Sequence, residues 1–224
     1  DLYVVNGEPL GLVYEISDGG AHGKVVALKA HRDLNLWYRT GLPYDEIHPE
    51  DPNNVGVIAR SETDGQENMK AYKQIPDWKT HYPVAAYVSD LNDENGNPGW
   101  YLPAIKEVQA MVGWIDGEVL SPDGEAGQEP SEAMKEKRKA INQLIVDNGG
   151  NEFYFYGYDV SFIIDQTNAW EADYFNRIYT STETDYQVHP MVFKFYLRNG
   201  WWETMHVYGD LAGSYGEVRP FLAF

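Results

Sequence analysis

The side chains able to do chemistry in this chain are few and scattered. Its six histidines, His22, His31, His48, His81, His189 and His206, form no His-x-His or His-Glu-x-x-His motif and no i, i+4 pair on a helix. A transition-metal site would have to gather ligands from distant segments. Cysteine is absent, which excludes disulfides, thiolate zinc, iron–sulfur clusters and a thiol nucleophile. No Gly-x-Ser-x-Gly elbow marks a serine nucleophile. The run Asp18-Gly19-Gly20-Ala21-His22-Gly23 is rich in glycine but lacks the Lys and following helix of a phosphate loop, so turn geometry accounts for it better. Asp93-Glu94-Asn95-Gly96-Asn97 offers alternating oxygens to a cation, yet Pro98 stands where a calcium loop needs Gly, and ordinary turn chemistry is favoured. Asp159 and Asp165 are the carboxylates a hydrolase would use, but no spacing rule selects them. No cofactor is expected.

A binding surface is better marked than a catalytic one. Of 32 aromatic residues, 20 fall in residues 151 to 224, which directs attention to the last third. There Asn199-Gly200 predicts a two-residue type I′ turn between alternating runs. The implied register pairs Arg198 with Trp201, Leu197 with Trp202, Tyr196 with Glu203, Phe195 with Thr204, Lys194 with Met205 and Phe193 with His206. One face then carries Phe193, Phe195, Leu197 and Trp202, suited to a core. The other carries Lys194, Tyr196, Arg198, Trp201, Glu203 and Met205, a recognition composition in which Trp, Tyr and Arg supply contact area and Met adapts. The competing reading packs Trp201 and Met205 under a loop and leaves the charges to solubilise.

The elements that must position this hairpin follow from hydropathy and punctuation. With 224 residues, 43% of them hydrophobic, the chain can bury a proper core, and the expectation is one α+β domain over residues 1 to 224. Residues 12 to 16 and 24 to 28 read as strands joined by the glycine-rich loop. Residues 29 to 64 read as irregular, with at most a short strand near Val55 to Ile58. Helices are expected over 65 to 75 and 77 to 91, punctuated by Pro76 and Pro83. Another should run from Pro103 to about Trp114, with Ile105, Val108 and Val112 as its apolar face. Residues 115 to 130 read as an acidic loop insertion. A further helix from about Pro130, with Met134, Ile141, Leu144 and Ile145 on one stripe, should stop at Gly149-Gly150. Strands are expected over 153 to 164, in the hairpin and at the C-terminus, where pairing with N-terminal strands would bring the chain ends together.

Charge and hydropathy narrow the partners. A formal charge of −18 repels a nucleic-acid backbone. No apolar run approaches the roughly 18 residues of a membrane helix. The chain opens on Asp1 without a basic and apolar leader, which reads as a processed or excised form.

Four segments together carry a family resemblance: GLVYEISDGGAHGKVVAL from Gly11, GWYLPAIKEV from Gly99, YTSTE from Tyr179 and VRPFLAF from Val218. They resemble a bacterial domain family of unknown function that is itself similar to the C-type lectin fold. That family is common in surface and fimbria-associated proteins of gut Bacteroidales and in variable proteins diversified by retroelements. The resemblance implies an extracellular, non-enzymatic scaffold whose segment 184 to 217 meets a protein or glycan ligand. By position its binding residues would be Thr184, Asp185, Tyr186, His189, Lys194, Tyr196, Arg198, Trp201, Glu203, Tyr208, Asp210, Ser214 and Tyr215. Gly99, Trp100, Leu102, Pro103, Ser181, Thr182, Glu183, Val218, Arg219 and Phe224 would be structural. The formylglycine-generating enzymes that share this fold need Cys, and the Glu-Pro-Asn or Gln-Pro-Asp motifs of calcium-dependent sugar binding are missing. Two alternatives stand beside this reading: an assembly subunit of a fimbria or phage particle, and a hydrolase.

Overall fold

The computed structural model describes residues 1–32, 59–95, 99–117, 131–153, 177–183, 190–195, 202–206 and 216–224, and every structural statement below concerns these. The chain is a mixed α+β fold, with an antiparallel sheet built from N-terminal strands and helices in the middle of the sequence.

The first sheet begins with a strand that the sequence reading missed. β1 (Leu2–Val5) folds back on β2 (Glu8–Ser17) with Val5 paired to Glu8. Between them Asn6 and Gly7 both take positive φ, 52° and 85°, as a two-residue type I′ turn requires. β2 continues through a 3-10 turn at Asp18–Gly20 into β3 (His22–Ala27), the expected glycine-rich hairpin. β3 then pairs with β7 (Phe221–Ala223), giving the order β1-β2-β3-β7. The chain ends meet as anticipated: the Tyr3 and Phe224 rings stack at 5.7 Å, and Gly23 N–H donates to Phe224 O at 2.9 Å.

Five helices follow. Asp64 caps α1 (Gly65–Tyr72) by accepting from Glu67 N–H at 3.0 Å. After the short α2 (Trp78–His81), Pro83 opens α3 (Pro83–Asn95), where its missing N–H costs nothing. α4 (Ile105–Asp116) starts two residues later than expected. Pro103 lies before the helix because Tyr101 exchanges backbone hydrogen bonds with Phe221, at 2.8 and 2.9 Å, while Pro103 O accepts from Ser181 N–H at 2.7 Å. The segment 101 to 104 is thus held extended between two strands. Ile105, Val108 and Val112 are buried as a face, joined by Met111 and Ile115.

α5 (Glu132–Asp147) is capped by Ser131 and ends at Gly149, φ 73°, where Gly149 and Gly150 donate back to Val146 O and Ile145 O. Its stripe differs from the apolar expectation. Ile141 and Ile145 are buried, but Leu144 is 37% exposed, and the stripe is completed by Arg138 and Asn142. Arg138 grips Asp116 with two hydrogen bonds of 2.7 Å, and Asn142 exchanges two of 2.8 Å with the backbone of Phe153. These paired polar groups replace an apolar contact because each finds a partner that burial requires.

The core lies where Leu12, Val26 and Leu28 of the sheet side meet Tyr72, Val88, Val108, Val112 and Ile178. The Tyr72 and Tyr82 rings stack there at 4.4 Å. Beside it stands a second sheet, β4 (Arg177–Glu183), β5 (Pro190–Phe195) and β6 (Trp202–His206), ordered β4-β5-β6. Among the described residues no helix is long and apolar enough to cross a membrane. The strands expected near 55 to 58 and beyond residue 153, and most of the loop at 115 to 130, lie outside the described residues.

Candidate functional site

The candidate binding segment is bounded by two motifs, and the structure brings both to one strand. Ile178–Glu183 of β4 is buried throughout although most of it is polar: Thr180, Ser181, Thr182 and Glu183 are each at most 4% exposed. Burial of such groups is tolerated only when each is bonded. Ser181 Oγ accepts from Asn68 Nδ2 at 3.0 Å, and Ser181 O accepts the Tyr72 hydroxyl at 2.6 Å. Thr182 Oγ1 accepts from Ile105 N–H at 3.1 Å and donates to Ser61 O at 2.9 Å. Glu183 N–H donates to Ala59 O at 2.8 Å, and its Oε2 accepts from Ala59 N–H at 3.3 Å.

This network also starts a helix. The N-cap of α4 is Ala104, which has no side-chain acceptor, so Thr182 supplies a hydroxyl from another strand to the first N–H of the helix. Glu107 completes the cap by accepting from Ala104 N–H at 2.9 Å. The same carboxylate, 3% exposed, accepts from Gly65 N–H at 2.9 Å, the Tyr101 hydroxyl at 2.8 Å and Lys24 Nζ at 3.0 Å. Burial, reinforced by the Glu107 charge, pushes the phenols of Tyr101 and Tyr14 well above the usual tyrosine range.

The other end of the segment returns to the same strand. Glu217 N–H donates to Arg177 O at 2.8 Å and Glu217 O accepts from Tyr179 N–H at 3.1 Å, forming a parallel bridge. Gly216 eases this approach, since a Cβ there would press on the Tyr179 ring at 3.0 Å. The Glu217 carboxylate binds Arg219 Nε at 2.7 Å and Arg32 at 2.9 and 3.1 Å. Arg219, wholly buried, has partners for all five donors: Glu217, the carbonyls of Ala27 and Leu28 at 3.1 Å each, Asn151 O at 2.8 Å and Glu152 O at 3.3 Å. Its guanidinium also sits 4.0 Å from the Phe153 ring centroid. Burial lowers the Arg219 pKa while Glu217 opposes that shift. Burial raises the Glu152 carboxyl above its usual range, and Arg32 opposes that only in part.

Most of the residues expected to be structural are enclosed. Leu102, Pro103, Ser181, Thr182, Glu183, Val218 and Arg219 are buried, while Gly99 and Trp100 are half-buried. Phe224, 39% exposed, lies over Tyr3.

Of the expected binding residues, the structure places Lys194 on β5 and Glu203 on β6. They are direct cross-strand partners, which corrects the register. Phe195 pairs with Trp202, Phe193 with Thr204 and Val192 with Met205, so one strand is displaced by two positions against the other relative to a turn centred on Asn199-Gly200. β5 is also paired to β4 through Arg177 with Lys194 and Ile178 with Phe193, a long-range constraint that a local turn signal does not contain. A displacement of two is one full strand period, so the residues still alternate in the expected sets. Thr184, Asp185, Tyr186, His189, Tyr196, Arg198, Trp201, Tyr208, Asp210, Ser214 and Tyr215 lie outside the described residues. Among the described residues no group of three or more His, Asp or Glu is placed to hold a metal ion.

Comparison of the chain with known family models, with curated proteins and with solved structures found no match in any of the three.

Proposed function

We propose that this chain is a non-enzymatic binding protein of C-type-lectin-like architecture that presents residues 184 to 217 to a protein or glycan outside the cell. The supporting observation is the way both ends of that segment are fastened. Glu183 leaves β4 and Glu217 returns to it, each inside a network of buried, mutually bonded polar groups. The bonds named at these two anchors use no side chain from between them, which leaves the display face of the hairpin for recognition. The aromatic and mixed-charge composition of the segment suits such a surface, with Tyr196, Arg198 and Trp201 as anchors and Lys194 opposite Glu203 for polarity.

The test is a glycan and surface-protein array probed with the wild-type chain and with Tyr196→Ala and Trp201→Ala. Each substitution should weaken capture of the array ligand by about 2 kcal/mol, roughly 30-fold, while thermal stability stays within about 0.5 kcal/mol. Undiminished capture by both variants would refute the surface; unfolding by both would assign the rings to the core.

A further inference from the structure

A groove of about 830 Å³, lined by none of residues 184 to 217, opens between the Asn6-Gly7 turn, the end of β3, α3 and the C-terminal turn of α5. Its size falls within the roughly 300–1,000 Å³ of ordinary small-molecule sites. Leu28 and Pro220 give it a buried apolar floor. Two half-buried aromatic residues, Tyr87 and Trp100, line its wall, and both are held in place. The Tyr87 ring stacks on His31 at 4.2 Å and 25°. Trp100 is clamped through its backbone by Asn92, whose Oδ1 accepts from Trp100 N–H and whose Nδ2 donates to Trp100 O, both at 2.8 Å. A ring fixed before the ligand arrives loses little entropy on binding.

The polar rim narrows the ligand class. It consists of the amides of Asn6 and Asn148, one carboxylate, Glu8, and one ammonium, Lys29. Glu8 and Lys29 are exposed, and neither forms an ion pair with any described residue. The lining is thus neutral overall within a chain of charge −18, so an anionic ligand meets Glu8 and the surrounding negative field, and a cation meets Lys29. A neutral sugar suits every part. Its C–H face covers an aromatic ring, and its hydroxyls donate to Glu8, accept from Lys29 and do both with the two amides. We propose that this groove is a binding site for a neutral saccharide, stacked on Trp100 or Tyr87 and held by Asn6, Glu8, Lys29 and Asn148.

The test titrates the full chain with maltotriose, cellotriose, mannotriose and triacetylchitotriose, with a heparin tetrasaccharide as the anionic control, following tryptophan fluorescence and the Trp100 indole N–H resonance. At least one neutral trisaccharide should saturate at millimolar concentration and shift that resonance, with no response to the heparin fragment. Glu8→Ala and Lys29→Ala, both at exposed positions, should each weaken binding about fivefold with an unchanged melting temperature. The double variant Tyr196→Ala/Trp201→Ala should bind the same sugar as before, which separates this site from the segment 184 to 217. The proposal is overturned by silence from all four sugars, by tighter binding of the heparin fragment, by unaltered affinity in both charge variants, or by loss of sugar binding in the double variant.

Discussion

Thr182 lets the buried polar frame be tested without changing its shape. Thr182→Val keeps the volume, the β-branching and the burial, and removes only the hydroxyl. Two bonds go with it, one of 3.1 Å from Ile105 N–H and one of 2.9 Å to Ser61 O. The consequences are unequal. Ser61 O keeps the Asn68 Nδ2 donor at 2.7 Å, so it forfeits one of two bonds, about 1 kcal/mol. Ile105 N–H belongs to the first turn of α4, has no partner within the helix and is left unpaired beside Ala104, which is itself fully buried, a cost of about 1–3 kcal/mol. The expected loss is therefore about 2–4 kcal/mol, read from urea denaturation as a lower midpoint at an unchanged slope. Thr182→Ser supplies the opposite control, since it keeps the hydroxyl and loses a methyl, and should cost about 1 kcal/mol. If Val proves no worse than Ser, the hydroxyl does not start α4 from β4 and the reasoning fails.

Three further outcomes are expected. Arg219→Met takes a donor from four carbonyls, of which Leu28 O keeps Asn151 N–H and Glu152 O keeps Arg32, and leaves one oxygen of the buried Glu217 carboxylate without its cation; it should cost about 3–5 kcal/mol in the same urea assay, and Arg219→Lys, with three donors for five acceptors, should fall between it and wild type. The raised phenols of Tyr14 and Tyr101 keep their protons in the folded state after the unfolded chain has lost them, so their contribution to stability is complete below pH about 10 and declines above it. The decline should be about 1.4 kcal/mol per pH unit for each tyrosine, and a flat stability curve through that range would contradict it. Gly65→Ala sets a Cβ 2.3 Å from Leu102 O and 2.9 Å from Ala104 N, an atom already bound by Glu107, and should lower the melting temperature by on the order of 10 °C through a loss of about 3 kcal/mol.

Local signals in the sequence read well where local physics decides. The 3.6-residue spacing of Ile105, Val108 and Val112, the proline opening α3 and the glycine ending α5 each act within one turn of helix, and each matches the structure. The Asn-Gly dipeptide shows where this stops. At Asn6-Gly7 β1 pairs, among the described residues, with β2 alone, and the turn sets the register. At Asn199-Gly200 the first strand, β5, also pairs with β4, and the register follows the sheet. Hydrophobic alternation gives no warning, because a slip of two positions leaves it intact. The buried ions were equally hidden. Glu107, Arg138 and Arg219 look like surface charges until partners 83, 22 and 192 residues away come into place. For the candidate surface itself, the structure adds the pairing of Lys194 with Glu203 and the two anchors on β4.

Those anchors also bear on how the chain tolerates changes of length. Glu217 is bridged to β4 through Arg177 and Tyr179, and within the excursion β5 pairs back to β4, Glu183 with Pro190 and Arg177 with Lys194, so the closure is enforced twice over. The entropy of closing a connection between two fixed strands grows only with the logarithm of its length, so doubling the stretch of chain that joins β5 to β6 would cost about 0.6 kcal/mol. Insertions there are cheap compared with the loss of a single hydroxyl at Thr182, which makes that connection a port for grafting foreign peptides of quite different size onto a frame that need not be redesigned.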